Sequence, residues 1–171
     1  MRDPQAHPWI LGALRIRREV LARVDAEARE SFARDEESCG LLAGPAADGR
    51  LVDRILPMKN RASALHTLDP ETYPRTGHDY FAVDPLKVER AVEEGEKTGS
   101  PIKVLYHSHL EVGAYFSEMD AAAATMSGDA PTHELAYLVT SVRAGVVDDR
   151  KLFVWSPETR VFVESPFEEV P

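Results

Sequence analysis

The sequence predicts an α/β fold, a mixed sheet packed against helices. Short apolar runs of strand length recur along the 171 residues, two stretches with helical periodicity fall between them, and no repeat or low-complexity tract interrupts the order. Leu11 to Ile16 reads as a first strand, and Arg18 to Arg34 as a helix with Leu21, Val24, Ala28 and Phe32 on one stripe. Cys39 to Ala43 and Arg50 to Leu56 follow as strands. Asp84 is a helix N-cap with Pro85 in the first turn, where its missing N–H costs nothing, and the helix runs towards Gly95 or Gly99 with Val88, Ala91 and Val92 inward. Ile102 to Tyr106 is a strand and Ser117 to Met126 a helix. Leu135 to Val142, Lys151 to Trp155 and Arg160 to Glu164 are strands, the last two joined as a hairpin by Ser156-Pro157-Glu158-Thr159. Asn60 to about Tyr80 has no regular pattern and is expected to be a long loop, a candidate flap over a substrate.

Composition bounds the function. A chain of this length can bury about 70% of its unfolded surface in one core, so one domain spanning residues 1–171 is expected, with its core in about 11–165. Lys and Arg total 20 against 29 Asp and Glu, a net charge of -9, which argues against nucleic acid because binding a polyphosphate depends on basic contacts that release counterions. Cys39 is the single cysteine, so neither an intrachain disulfide nor a CxxC metal knuckle can form. It lies within an apolar run, where a thiol behaves as a small buried hydrophobe. The apolar patch from Trp9 to Leu14 is too short for a signal core or a membrane span, so cytoplasmic residence and no membrane partner are expected.

The chemistry concentrates in His107-Ser108-His109, followed after seven residues by Ser117-Glu118-Met119-Asp120. Side chains alternate faces in an extended chain, so His107 and His109 project from the same side and can reach one ion while Ser108 points away. Two histidines and Asp120 supply the three protein ligands typical of a catalytic zinc, at the end of the strand that starts at Ile102. Each fragment also has a purely structural reading. Histidines two apart can form a polar strand edge, and Ser117-x-x-Asp120 before four alanines reads as a capping box. The acidic cluster Asp35-Glu36-Glu37 opens the Cys39 strand and offers a carboxylate that could act as base beside the metal. His7, His66, His78 and His133 lack ligand spacing and are expected to be surface or hydrogen-bonding residues.

Glu37-x-Cys39-Gly40-Leu41-Leu42-x-Gly44, then His107-Ser108-His109, seven residues, Ser117, two residues and Asp120, resembles the JAMM signature of the MPN (JAB1/MPN/Mov34) metalloproteases in its prokaryotic single-domain branch. The likeness extends to Phe81-Ala82-Val83-Asp84-Pro85 and to Ala136 through Val142. The resemblance implies an MPN-type fold, like that of cytidine deaminases, with a mixed sheet against helices. It also implies zinc held by His107, His109 and Asp120, Glu37 as general acid and base, and Ser117 as the hydroxyl that stabilises the oxyanion. The implied substrate is a peptide or isopeptide bond at the C-terminal tail of a ubiquitin-like sulfur-carrier protein or its conjugate. A homodimer stays open. A catalytically silent MPN scaffold is the alternative, but silent members lose ligands and this chain keeps all of them. Relatives commonly carry proline after the second histidine and after the serine, where this chain has Leu110 and Glu118; proline stiffens a loop without supplying a ligand, so these changes bear on substrate fit. A deaminase would need His-x-Glu with Pro-Cys-x-x-Cys, which is absent.

Overall fold

The structure, a computed structural model, describes residues 2–171. A six-stranded sheet forms its centre. Its strands are β2 (Cys39–Ala43), β4 (Arg54–Met58), β5 (Ile102–Leu110), β6 (Ala136–Arg143), β7 (Val146–Ser156) and β8 (Val161–Ser165), in the order β4-β2-β5-β6-β7-β8. Only the β5–β6 pair is parallel, which makes the sheet mixed as expected. A separate parallel sheet of three short strands runs β3 (Leu51–Val52), β1 (Leu14–Arg17), β9 (Phe167–Val170).

The pleat divides the core in two. On one face Leu42, Val104, Tyr106, Ala136 and Leu138 pack with Val20, Leu21 and Val24 of helix α1 (Arg18–Ala33) and with Leu14 and Ile16 of β1. On the other, Leu41, Ala43, Tyr137, Val139 and Phe153 pack with Ala91 and Val92 of helix α3 (Pro85–Thr98) and Ala124 of helix α4 (Glu118–Thr125). Each fully buried Val, Leu or Ile contributes about 1.5–3 kcal/mol, so the alternation of these strands fixes which face every other side chain must take. Asp84 caps α3 as the sequence predicts, its carboxylate accepting from the Leu86 N–H at 3.0 Å, and Gly99 ends the helix in the left-handed region.

The motif glycines are explained by close approach. A Cβ on Gly40 would lie 2.5 Å from the Tyr106 hydroxyl, and one on Gly44 would lie 1.9 Å from the Leu51 carbonyl oxygen. Lys103 stands beside Gly44 with no exposed surface, and its ammonium donates to the carbonyls of Pro45 (2.9 Å), Asp48 (2.7 Å) and Leu51 (2.8 Å). Burial pushes this group down to about 8, while Asp48 and Asp53 oppose that shift.

Several expected elements change. Leu11 to Ile16 is not one strand: a 3₁₀ turn occupies Pro8–Leu11, the chain reverses through positive φ at Gly12 and Ala13, and β1 starts at Leu14. Arg50 to Leu56 splits into β3 and β4, which belong to different sheets because Leu51 and Val52 pair with β1 while Arg54 to Met58 pair with β2. The supposed loop from Asn60 holds helix α2 (Ala62–Leu68), which buries only Ala62 and so gives little apolar periodicity. The terminal strand β9 was not foreseen. Nor does β5 stop at Tyr106; it runs on to Leu110 because parallel pairing with β6 continues through His109 with Ser141 and Leu110 with Val142. The histidines therefore sit inside a strand rather than in a loop beyond its end.

Candidate metal centre

Alternation along β5 places His107 and His109 on the α4 face of the sheet and turns Ser108 to the other side. Ser108 there accepts a hydrogen bond from the Ser38 N–H at 2.8 Å and donates its own N–H to the Ser38 carbonyl at 3.0 Å. The middle residue of His-Ser-His thus ties the strand of the histidines to the segment carrying Glu37.

Ser117 caps α4. Its hydroxyl oxygen accepts from the Asp120 N–H at 3.0 Å, and Asp120 Oδ2 accepts from the Ser117 N–H at 2.9 Å, a reciprocal capping box. That same Oδ2 lies 3.1 Å from His107 Nε2 and 3.3 Å from His109 Nε2, and the two imidazole nitrogens are 3.1 Å apart. Ligands about 2.0–2.1 Å from a tetrahedral zinc stand about 3.3 Å from one another, so the triangle already has the size such an ion requires. His109 Nδ1 lies 2.9 Å from the Gly113 carbonyl oxygen, an acceptor, so it carries the proton and leaves Nε2 with its lone pair. His107 is fully buried, which pushes its imidazole towards the neutral form, and its ring stacks on Phe81 with centroids 4.5 Å apart. Burial opposes ionisation of Asp120, but a proton shared with the adjacent imidazoles, His107 foremost, and the Ser117 N–H outweigh it and hold the carboxyl well below the usual carboxylate range. Electron-pair donors therefore meet with only a shared proton or a cation able to sit between them. His107 Nδ1 is buried without a partner.

Glu37 completes the arrangement from the far side. It is 4% exposed, and a carboxylate oxygen of Glu37 and one nitrogen of each imidazole fall within 4.8 Å of one another. Burial raises its pKa to about 9, with the charges of Asp120 and Asp79 adding to the effect. Two triads thus share the histidines. Asp120 makes the tighter one and favours the ionised form a cation needs, whereas Glu37 is held protonated, as suits a group that exchanges protons.

Residues 17–155 match the family described as prokaryotic homologs of the JAB domain. This chain belongs to that family. A CysO-cysteine peptidase of Mycobacterium tuberculosis and one of Mycobacterium bovis are each 34% identical to it over 112 residues, and the match spans 64% of this chain and 64% of either relative. A solved protein from Desulfitobacterium hafniense superposes with a TM-score of 0.60 at 23% identity, covering 92% of this chain and 94% of that one. A JAB1/MPN domain protein from Archaeoglobus fulgidus gives 0.54 at 15% identity, covering 93% and 99%. At these identities the structural likeness establishes the fold.

The five residues singled out in this JAB domain are therefore brought together, with Ser117 at the cap and its hydroxyl proton unused by that cap. His133 lines the cavity beside the centre, while three other histidines are paired elsewhere. His66 pairs with the Tyr73 carbonyl, His78 with Asp35, and His7 with Glu96 and Glu134. Cys39 is 1% exposed, and burial, with Glu37 and other carboxylates nearby, raises its thiol to about 12, which leaves no thiolate nucleophile. Sequence reasoning missed Gly113, which acts through its carbonyl and whose φ of 95° favours glycine, and it gave no role to Phe81. A cavity of about 510 Å³ opens beside the centre, lined by His107 and Asp120 and by apolar Phe81, Phe116, Met126 and Tyr137.

Proposed function

We propose that this JAB domain is a zinc-dependent metallopeptidase that hydrolyses an amide bond at the C-terminal tail of a ubiquitin-like sulfur-carrier protein or its conjugate. The observation that carries this reading is the convergence of His107 Nε2, His109 Nε2 and Asp120 Oδ2 at 3.1–3.3 Å, with the buried Glu37 carboxyl alongside. These three residues would hold the ion. Bound zinc supplies Lewis acidity and brings the pKa of a ligated water to about 7.

The chain's own groups do the rest. Burial holds Glu37 protonated, and a cation bound beside it would offset that and free the carboxylate, which would take a proton as the water oxygen attacks the scissile carbonyl and return it to the leaving nitrogen as the C–N bond breaks. The Ser117 hydroxyl donates to the carbonyl oxygen as charge gathers there, an interaction worth about 3 kcal/mol when the donor is fixed in place, and the capping box fixes it. The Gly113 carbonyl holds the His109 tautomer. The largely apolar cavity beside the centre would receive the tail. Similarity to the mycobacterial CysO-cysteine peptidases supports a carrier–cysteine adduct as substrate.

The test uses a sulfur carrier with one cysteine in amide linkage at its C-terminus, the product being weighed by mass spectrometry. Wild type with near-stoichiometric zinc should release cysteine. Glu37→Ala should keep the zinc and lose hydrolysis, whereas His107→Ala and Asp120→Ala should lose most of the metal. Wild type that carries no zinc after metal-replete expression would refute the proposal.

A further inference from the structure

Ser38 is tied to Ser108 of β5, but the backbone groups of Glu37 itself make no bond to the sheet. Glu37 precedes β2, and both of its backbone groups are spent on the segment running from Asn60 to Val83. Its N–H donates to the Gly77 carbonyl at 2.6 Å, and its carbonyl accepts from Asn60 Nδ2 at 3.0 Å. Asn60 is 8% exposed and saturates its amide: Nδ2 also donates to the Tyr80 carbonyl at 2.9 Å, while Oδ1 accepts from the Ala62 and Ala82 N–H groups, each at 3.0 Å. The two N–H partners can only donate, so the orientation of the amide is settled by its neighbours.

Gly77 closes the other side of the joint. Its N–H donates to Ser63 Oγ at 2.9 Å, and a Cβ there would lie 2.8 Å from Glu36 Cβ and 3.2 Å from both Asn60 Nδ2 and Ser63 Oγ. The same segment carries Phe81, which stacks on His107. One stretch of chain therefore covers a histidine of the centre and holds the main chain of Glu37 in place.

We infer that Asn60 is a positioning residue, which pins Glu37 at the metal centre through the 60–83 segment and makes the placement of the base depend on the seating of that segment. The inference rests on the proposed peptidase reading. It follows that a substrate tail contacting the segment beside Phe81 acts on the position of Glu37 as well. Displacing a reacting group by about 1 Å costs on the order of 10²-fold in rate, so loss of the pin is read chiefly in kcat.

Asn60→Asp separates this role from simple folding. The carboxylate keeps acceptors for Ala62 and Ala82 but removes both donors, including the one to Glu37. With the carrier–cysteine adduct as probe, kcat should fall by roughly 10–100-fold while KM and zinc stoichiometry stay within about twofold of wild type. In a Glu37→Ala background the same change should leave the residual rate unaltered, because a residue acting through Glu37 has nothing left to position. Gly77→Ala strains the second bond to Glu37 and should behave alike, which keeps the test open if Asn60→Asp folds poorly. An unchanged kcat in zinc-loaded variants, or an equal loss with and without Glu37, would overturn the inference. Glu37→Ala with wild-type activity would instead defeat the peptidase reading beneath it.

Discussion

Replacing Lys103 by methionine tests how the β2–β3 connection is held. Methionine matches the length of the lysine stem, so packing is retained while the ammonium is lost. Three carbonyls, those of Pro45, Asp48 and Leu51, then lose donors at 2.7–2.9 Å beneath a side chain that has no exposed surface. The carbonyls of Pro45 and Asp48 keep one backbone donor each, the Asp48 N–H at 3.2 Å and the Leu51 N–H at 3.1 Å, so the loss is of three hydrogen bonds from a charged donor, each worth about 1.5–3 kcal/mol. Against this, the variant no longer desolvates an ammonium, a penalty of several kcal/mol that burial imposes and that lowers the lysine to about 8. The expected net loss is about 2–4 kcal/mol, or roughly 5–15 °C in Tm for a chain of this size. Urea and thermal unfolding of purified protein measure it directly. Because the Lys103 ammonium reaches this connection and the face of Trp9, 5.7 Å from the ring centre, and no residue of the metal centre, zinc stoichiometry and turnover of the folded variant should match wild type. A Tm within about 2 °C of wild type would show that the ammonium is dispensable.

Two further outcomes concern buried titratable groups. In chelated protein the native state keeps a proton on Glu37 up to about pH 9, whereas the unfolded chain releases it near the ordinary carboxylate value, so this contribution is complete below about 4.5 and is lost as pH rises through 9. Stability should therefore fall relative to Glu37→Gln by up to about 1.4 kcal/mol per pH unit between about pH 5.5 and 8.5, and parallel urea midpoints across that window would contradict it. Cys39, 1% exposed with its thiol raised to about 12, should resist alkylation in native protein near neutral pH and react after unfolding in urea; prompt labelling of the native state would refute its burial.

The sequence exposed much of the site because its constraints are local. His107 and His109 share a face whenever their strand is extended, and Ser117 and Asp120 share a cap whenever α4 begins there. The stripe of α1 and the start of α3 were legible for the same reason, since a period and a capping residue are properties of neighbours in the chain. Elements whose existence depends on distant partners were not. Leu51 and Val52 are a strand only because β1 lies beside them, and β9 follows from pairing with Leu14 to Arg17. Helix α2 gives almost no apolar signal, so its residues resembled a loop.

The sequence by itself thus determined the donor types, their spacing and the faces they take, because alternation and capping act over a few residues. Only the tertiary structure decided that the three donors converge at 3.1–3.3 Å, that the Glu37 carboxyl lies within 4.8 Å of both imidazoles, and that Asn60, Gly77 and Gly113 hold the assembly through backbone groups. Such contacts join residues far apart in sequence, and main-chain carbonyls carry no residue identity from which they could be read. Their partners are chosen by burial, since a polar group withdrawn from water must be satisfied by whatever the fold brings to it.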